Sequence, residues 1–349
     1  KSESDDESPV FKDIDIYKFN NDSIIKNRDR DRYIISVKND NLEKLKVAIG
    51  NARINTADFQ NTLIGKPNRS LKRYQKLSEL LHTAVSENVD LLVLPENYLP
   101  LEWIPDIARL CANNQIALVT GIEHVIFPKN IKGKHRVYNL TAVILPYRVE
   151  EYKYAYVIYH HKVNYSPEEK RIIAGYRYEP FEGDSFHLFY WSDIWFSVYC
   201  CYELASIQGR SVFGSLPDAL IAVEWNKDVA YFSSIVESLS RDLHCYCIQA
   251  NSSDYGDSRV ILPSSMVMRD LIKTKGGINS AVLIDEINIK KLREFQLKEY
   301  ELQKEDGSFK PTPPDFNHDI PKYKLNGELL DYMENNGIIK SMRKTCCNS

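Results

Sequence analysis

The sequence predicts an α/β fold organised as one large domain. Strand-like and helix-like segments interleave through roughly 240 residues with no obvious linker between them. The strand-like segments are continuous apolar runs, which is typical of strands buried on both faces, and the helix-like segments carry apolar residues on one face. The chain has 349 residues, enough for two ordinary domains or one large one. The interleaving favours one.

Three strands and two helices are expected in the first part of this domain. Buried strands are expected over residues 46–52, 89–94 and 116–121, because each is apolar without alternation. Amphipathic helices are expected over 68–87 and 104–112. This order of strand, helix, strand, helix, strand is the pattern of an α/β sheet.

The second part repeats the pattern. A hairpin is expected from 186–190 to 194–200, because Ser192 and Asp193 form a turn between two apolar runs. The other expected elements are strands at 138–145, 156–159, 219–223, 245–250 and 258–262 and a helix at 229–243. The hairpin and these elements complete a single α/β core.

Two segments flank that core. Residues 1–44 mix charges of both signs with Asn and Asp, which predicts a linker and an extended lead-in without a core element. The folded domain is expected over 45–302, and residues 303–349 form a Pro-containing polar arm. The start is acidic and lacks a methionine, so we expect Lys1 not to be the natural start of the polypeptide.

Composition excludes several classes of protein. The formal net charge is −3, so no basic excess indicates nucleic-acid binding by the whole surface. No apolar run approaches the roughly 18 to 20 residues of a membrane span. Seven scattered cysteines in a chain of this size indicate a reducing compartment without structural disulfides. We therefore expect a cytoplasmic protein.

Three reactive groups directly follow predicted strands: Glu96, Lys162 and Cys201. A carboxylate can take the proton of a thiol and pass it to a leaving amine. A thiolate can attack an electrophilic carbon, and an ammonium can stabilise the negative charge that develops on the tetrahedral intermediate. The helix start expected after Cys201 would favour its thiolate form. Together these groups indicate acyl chemistry through a thioester.

The order Leu94-Pro95-Glu96, Lys162 and Cys201-Tyr202-Glu203 resembles the Glu-Lys-Cys triad of the nitrilase, or carbon–nitrogen hydrolase, superfamily. Flanking segments between about 45 and 290 resemble it too. The resemblance implies a four-layer α-β-β-α sandwich that forms homo-oligomers and uses no metal or organic cofactor. It implies that Glu96 is the general base, Lys162 the oxyanion stabiliser and Cys201 the nucleophile.

The resemblance also extends to neighbouring positions. Its pattern of cysteine, aromatic residue and acid selects Cys201 and leaves Cys200 as a core neighbour on the other side of the strand. A second active-site glutamate is expected at Glu168 or Glu169, with Glu169 favoured. The residues expected to line the substrate pocket are Tyr202, Trp225 and Asn226, although each could equally be ordinary packing.

The adjacent His160 and His161 lack a second His/Asp cluster at ligand spacing, so no metal site is expected. The leading hypothesis is an amidase-type carbon–nitrogen hydrolase acting on a small amide or nitrile. The alternative is an assembly or regulatory module of a larger protein. The acidic start and tyrosine-rich sequence resemble nitrilase-like domains fused to reverse transcriptases in bacterial antiviral defence, and in that setting nucleic acid could be a partner.

Overall fold

The computed structural model describes residues 14–20, 30–127, 135–265 and 269–342. These residues form sixteen strands: β1 (Ile14–Phe19), β2 (Asp31–Val37), β3 (Lys44–Asn51), β4 (Leu91–Val93), β5 (Ala117–Phe127), β6 (His135–Val149), β7 (Tyr152–His161), β8 (Tyr178–Pro180), β9 (Ser185–Trp191), β10 (Ile194–Cys200), β11 (Ala219–Val223), β12 (Tyr246–Ala250), β13 (Gly256–Ile261), β14 (Asp270–Lys275), β15 (Ala281–Asn288) and β16 (Ile339–Ser341).

The same residues form ten α-helices: α1 (Thr56–Leu63), α2 (Leu71–Ser86), α3 (Ile104–Asn114), α4 (Pro167–Gly175), α5 (Ile207–Arg210), α6 (Val229–Asp242), α7 (Ile289–Gln296), α8 (Tyr300–Asp306), α9 (Asp319–Leu325) and α10 (Leu329–Asn335). Two 3₁₀ turns, Leu101–Trp103 and Cys201–Ala205, interrupt the pattern. Among the described residues, no helix is long and apolar enough to cross a membrane.

The strands form two mixed sheets. Nine strands pair in the order β14-β13-β12-β11-β10-β9-β2-β1-β16. In the second sheet six strands pair in the order β15-β3-β4-β5-β6-β7, and β8 pairs with β6. The centre of each sheet contains parallel pairs. In the nine-stranded sheet β10 pairs with β11 and β11 with β12, and in the other sheet β3 pairs with β4 and β4 with β5. The carboxyl ends of parallel neighbours lie at one edge, where loop residues can gather.

The two sheets pack face to face, and helices cover their outer faces. Side chains such as Val93 and Val198 meet in the core between the sheets. Leu81 of α2 packs with Leu118 outside the seven-stranded sheet, while Val236 of α6 packs in the cluster outside the other sheet. This arrangement confirms the expected α-β-β-α sandwich.

The expectation that residues before 45 add no core element is wrong. Strand β2 pairs in parallel with β9 over seven residues, and β1 pairs with β2. Ile34 is fully buried against the outer cluster, and Val37 lies between the sheets. The strand was not predicted because its apolar stretch is short and charged residues lie on both sides of it, so the pattern typical of a buried strand is weak. Residues 1–13 and 21–29 lie outside the described residues.

The C-terminal arm packs along the same sheet. Ile320, Leu329 and Met333 of α9 and α10 pack in the outer cluster with Ile34, and β16 pairs with β1. Buried Lys324 donates to Asp218 Oδ1 at 2.8 Å, and Arg293 donates to Asp218 Oδ2 at 2.7 Å. The arm therefore covers the edge of β1 and places β16 as the outermost strand on that side of the nine-stranded sheet.

Candidate active site

Three strand ends bring a carboxylate, an ammonium and two thiols together. Glu96 follows β4, Lys162 follows β7, Cys200 ends β10, and Cys201 follows it. Glu96 Oε1 accepts hydrogen bonds from Lys162 Nζ at 2.8 Å and from Cys200 Sγ at 3.3 Å. Both sheets therefore contribute to one buried cluster, and Glu96 lies at its centre.

Lys162 is held between two carboxylates. Its Nζ atom lies 2.8 Å from Glu96 Oε1 and 2.7 Å from Glu169 Oε2, and the side chain is almost completely buried. Burial opposes the charged ammonium, but Glu169 and Glu96 outweigh it and hold the pKa of Lys162 well above its usual value. Lys162 is thus a permanent cation at neutral pH.

Glu169 is the second carboxylate of the cluster. Ser166 caps the N-terminus of α4 and accepts from the Glu169 N–H at 3.1 Å, which orients the first turn. Burial would raise the pKa of Glu169, but Lys162 and His124 hold it below its usual value. Glu168 instead lies on the surface with Arg171. Of the two expected glutamates, only Glu169 contacts Lys162.

Cys200 is not the separate core neighbour that strand alternation predicts. Its Sγ atom donates to Glu96 and lies 3.7 Å from Asn139 Oδ1. The strand ends at Cys200, and Cys201 adopts a positive φ of 48°, so the side-chain alternation stops between the two residues. The Cys200 thiol therefore contacts the Glu96 carboxylate, and the charge of Glu96 also acts on Cys201.

The two thiols differ in backbone conformation and access. Cys200 is fully buried, whereas Cys201 is 8% exposed on a strained turn between β10 and the 3₁₀ turn. A non-glycine residue at positive φ costs energy, so the surrounding structure must impose it. Such outliers cluster at functional sites, and this one distinguishes Cys201 from its neighbour.

The expectation that a helix start favours a thiolate is wrong. The segment after Cys201 is a 3₁₀ turn followed by a four-residue helix, too short to supply a large dipole. Burial and the charge of Glu96 raise the pKa of both thiols well above the usual value, although Lys162 opposes this. Both cysteines are neutral thiols, so a base must remove a proton before either can attack.

Glu203 anchors the turn that carries Cys201. Its fully buried carboxylate accepts from the Cys200 backbone N–H at 2.6 Å, from the Val163 N–H, and from His160 Nε2 at 3.0 Å. Through Val163 it also fixes the residue after Lys162. His160, the first of the two histidines before Lys162, thus belongs to the hydrogen-bond network around Glu203.

The predicted pocket residues divide between two faces. The Trp225 backbone N–H donates to Glu96 Oε2 at 3.1 Å, and its ring packs edge-on against Phe59. The Asn226 N–H donates to Asn251 Oδ1 at 2.9 Å, which holds the loop after β11. Tyr202 packs against the cluster outside the nine-stranded sheet. Only Trp225 directly contacts the cluster around Glu96.

Three site residues were missed by the sequence reasoning. Asn139 on β6 donates through Nδ2 to Glu96 Oε1 at 2.8 Å and to Glu169 Oε1 at 2.7 Å. His124 on β5 bridges Asn97 Oδ1 and Glu169 Oε1 at 2.7 and 2.8 Å. Glu224 is fully buried directly after β11. A polar residue within or just after an apolar strand is the signal they share.

A cleft of about 470 Å³ opens beside this cluster. Phe59 forms part of its wall and contacts the rings of both Trp225 and His124, with centroids 5.2 and 5.0 Å away. Asn97, the residue after Glu96, also lines the cleft. The cleft is therefore one side chain away from the buried charges.

Among the described residues, no group of three or more His, Cys, Asp or Glu side chains could hold a metal ion. The chemistry that these side chains can perform is proton transfer through Glu96, nucleophilic attack by a thiol and stabilisation of an anion by Lys162. This is the combination needed for acyl transfer.

No protein-family model and no curated protein matches the sequence. Solved structures do match. A CN-hydrolase superfamily protein from Xanthomonas campestris, whose active site carries an arsenic adduct, aligns with a TM-score of 0.52 at 14% identity, covering 73% of this chain and 94% of its own. A variant of the amidase from Nesterenkonia sp. AN1 in complex with butyramide gives 0.50 at 13% identity, covering 75% and 96%. The chain has the nitrilase-superfamily fold.

Proposed function

We propose that the protein is an amidase-type carbon–nitrogen hydrolase that acts through a cysteine thioester. The observation that carries the proposal is the Glu96 carboxylate, which accepts from both the Lys162 ammonium and the thiol of Cys200, the residue directly before Cys201 in the chain. The similar amidase from Nesterenkonia sp. AN1 binds butyramide. A small aliphatic amide is therefore the substrate class with which to begin.

Cys201 is the proposed nucleophile. It lies on the strained turn and is the more accessible thiol, whereas Cys200 is fully enclosed. Glu96 takes the thiol proton as sulfur attacks the amide carbon, and Lys162 stabilises the oxyanion. The C–N bond then breaks, and the amine leaves with the proton from Glu96.

In the second half of the reaction the same residues act on water in place of the thiol. Glu96 removes a proton from water, the hydroxide attacks the thioester carbon, and Lys162 again stabilises the oxyanion. The C–S bond breaks, and the sulfur regains its proton from Glu96. One amide and one water thus give one carboxylic acid and one amine, and the enzyme is regenerated.

Glu169 has a supporting role in this scheme. It contacts Lys162 and the Asn139 amide, which also contacts Glu96. A carboxylate there keeps the ammonium charged and directed toward the reacting carbon, in the way that outer partners orient active-site groups. Trp225 holds the other oxygen of Glu96 through its backbone N–H.

The test compares two matched substitutions on a panel of small aliphatic amides that includes butyramide. Ammonia release should fall at least about a thousandfold in Cys201→Ser and only about tenfold in Cys200→Ser, because the first loses the attacking atom and the second loses a hydrogen bond to Glu96. Mass spectrometry should show an acyl adduct on Cys201. An adduct on Cys200 would reassign the nucleophile, and no turnover of any amide by the wild type would reject the amidase.

The reverse-transcriptase fusion and the homo-oligomer stay predictions, because the matched structures do not bear on either. A substitution that abolishes ammonia release and leaves a cellular phenotype intact would support the assembly role instead.

A further inference from the structure

Glu224 is a buried carboxyl group that the proposed reaction does not use. It follows β11, is fully buried, and its backbone N–H donates to Ala250 O at 2.8 Å. Its Oε2 atom accepts from Gln249 Nε2 at 2.9 Å. Its Oε1 atom is buried and has no hydrogen-bond partner among the described residues. Such an orphaned oxygen requires an explanation.

The location of Glu224 supplies one. In the register of β10 and β11, Cys200 lies opposite Val223, so Cys201 and Glu224 are the next residues beyond the paired strand ends. The residue after Glu224 is Trp225, whose N–H holds Glu96. Glu224 therefore lies beside the proposed nucleophile at the paired strand ends and directly before the residue that holds its base.

The surroundings of Glu224 disfavour that charge. Burial raises the pKa of Glu224 to about 8, and the charges of Glu96 and Asp257 act in the same direction. Gln249 on β12 and Arg259 on β13 oppose them. The carboxyl group is thus mainly neutral at pH 7 and ionises only in mildly alkaline solution.

The charge of Glu224 acts on the proposed nucleophile. It is one of the charges that raise the pKa of Cys201, after burial and the charge of Glu96. We propose that Glu224 is a positioning residue for Cys201: protonated, it permits the thiolate to form, and ionised, it suppresses the thiolate by repulsion. The role in turnover rests on the proposed function, but the effect on the thiol does not.

The experiment measures thiol reactivity and needs no turnover. In a Cys200→Ala background, the rate at which iodoacetamide alkylates Cys201 is followed between about pH 6.5 and 9.5 by mass spectrometry of the peptide that contains it, because five other cysteines remain in the chain. Only the thiolate reacts, so for a thiol of high pKa the rate should rise about tenfold per pH unit. With Glu224 present, the rise should flatten between about pH 7.5 and 8.5, where its carboxyl ionises.

In the isosteric variant Glu224→Gln the alkylation rate should rise about tenfold per pH unit over the whole range. At pH 9 it should be about threefold to tenfold higher than in the parent, because one nearby negative charge is missing. Glu237→Gln is the matched control, because it removes a carboxylate that binds Arg259 and is not among the main charges that act on Cys201. It should keep the flattened profile.

Two results would overturn the proposal. The first is an alkylation rate that rises with the same slope over the whole pH range in the parent protein. This result needs no variant, so it decides the question even if Glu224→Gln fails to fold. An identical change in Glu237→Gln would assign the effect to the Arg259 network. A flattened parental profile in a protein that cleaves no amide would reject the amidase while supporting the role of Glu224.

Discussion

At the residue scale, Lys162 organises the site more than either cysteine does. It forms ion pairs with Glu96 and Glu169, and the Asn139 amide bonds to both carboxylates. Two carboxylates this close would repel each other and take up protons without an intervening cation. The lysine therefore holds the two carboxylates together and places a positive charge beside the thiol of Cys200.

This arrangement predicts the cost of removing the ammonium. Lys162→Met should lower the free energy of unfolding by about 3–5 kcal/mol at pH 7.5, because it leaves two buried carboxylates unpaired. The loss should shrink at pH 5. Without the cation, burial raises the folded pKa of Glu169 above its unfolded value, so the variant regains stability as the pH falls. In the wild type the pKa of Glu169 is lowered, so its contribution to stability is lost only below its unfolded pKa of 4.5 and changes little between pH 7.5 and pH 5.

Urea unfolding at the two pH values provides the measurement. The exposed Lys76→Met is the control and should change stability by less than about 0.5 kcal/mol. Adding Glu169→Gln to Lys162→Met should restore part of the loss. An equal loss at pH 7.5 and pH 5 would contradict the account, since it would show that the carboxylates do not carry the cost.

The residues of the site were predictable where a motif fixes them. Glu96, Lys162 and Glu169 lie where short local patterns indicated, and the structure brings them into contact. The relation of the two cysteines was not predictable, because it depends on a backbone dihedral at Cys201 that breaks the strand alternation. The partners of His124 and Glu224 were not predictable either. A polar residue within or just after an apolar strand marks both positions, but only tertiary packing gives such a residue its partners.

At the scale of elements, the ends of the strands position the chemistry. Gly121 on β5 shows how closely they pack: a Cβ atom built there would overlap the Glu96 Cα atom and crowd the Asn97 nitrogen. The Gly121 N–H donates to Pro95 O at 3.1 Å, and its carbonyl accepts from the Tyr98 N–H. The turn that carries Glu96 therefore rests directly on the β5 backbone.

Gly121→Ala should accordingly displace Glu96 from Lys162. We expect amide hydrolysis to fall by a factor of about a hundred or more, since small misplacements of a catalytic group cost that much. Gly175→Ala is the matched control, because a Cβ atom there meets nothing within 4 Å. Ammonia release by the two purified variants measures the difference. Equal activity in both would show that the Glu96 turn can shift without consequence.

Elements were predictable from sequence when their own pattern was long and uniform. The strand over 219–223 and the helix over 229–243 lie within a residue of β11 and α6. Strands β1, β2, β14, β15 and β16 were missed, because each lies at or near a sheet edge or is flanked by charged residues. Partial burial weakens the apolar signal on which such predictions depend.

At the scale of the whole molecule, the site depends on the packing of both sheets. The seven-stranded sheet provides Glu96, Lys162 and Asn139, and the nine-stranded sheet provides Cys201 and Glu224. The core between the sheets, which includes Val93 and Val198, fixes the distance between these two sets. The N-terminal β2 and the arm after 303 widen the nine-stranded sheet, so they support the cysteine side of the site.

Charge at the same scale predicts a substrate preference. The chain as a whole is formally −3, which would not attract an anion. The charge of the cleft differs from that of the whole chain. The exposed Lys72 and Lys76 lie on its wall with Arg53. The Asp58 carboxylate also lies there and accepts a hydrogen bond from Asn68. A local excess of positive charge should favour amides that also carry a carboxylate over those that carry an ammonium.

The measurement is the ratio of kcat/KM for two four-carbon amides, one with a terminal carboxylate and one with a terminal ammonium. Lys72→Glu combined with Lys76→Glu should lower this ratio about tenfold at low salt and by less at high salt, because exposed charges are screened. Lys322→Glu with Lys340→Glu is the control: it changes the net charge equally, on helix α9 and on strand β16 of the nine-stranded sheet. An equal drop in both pairs would show that net charge, and not the cleft, selects the substrate.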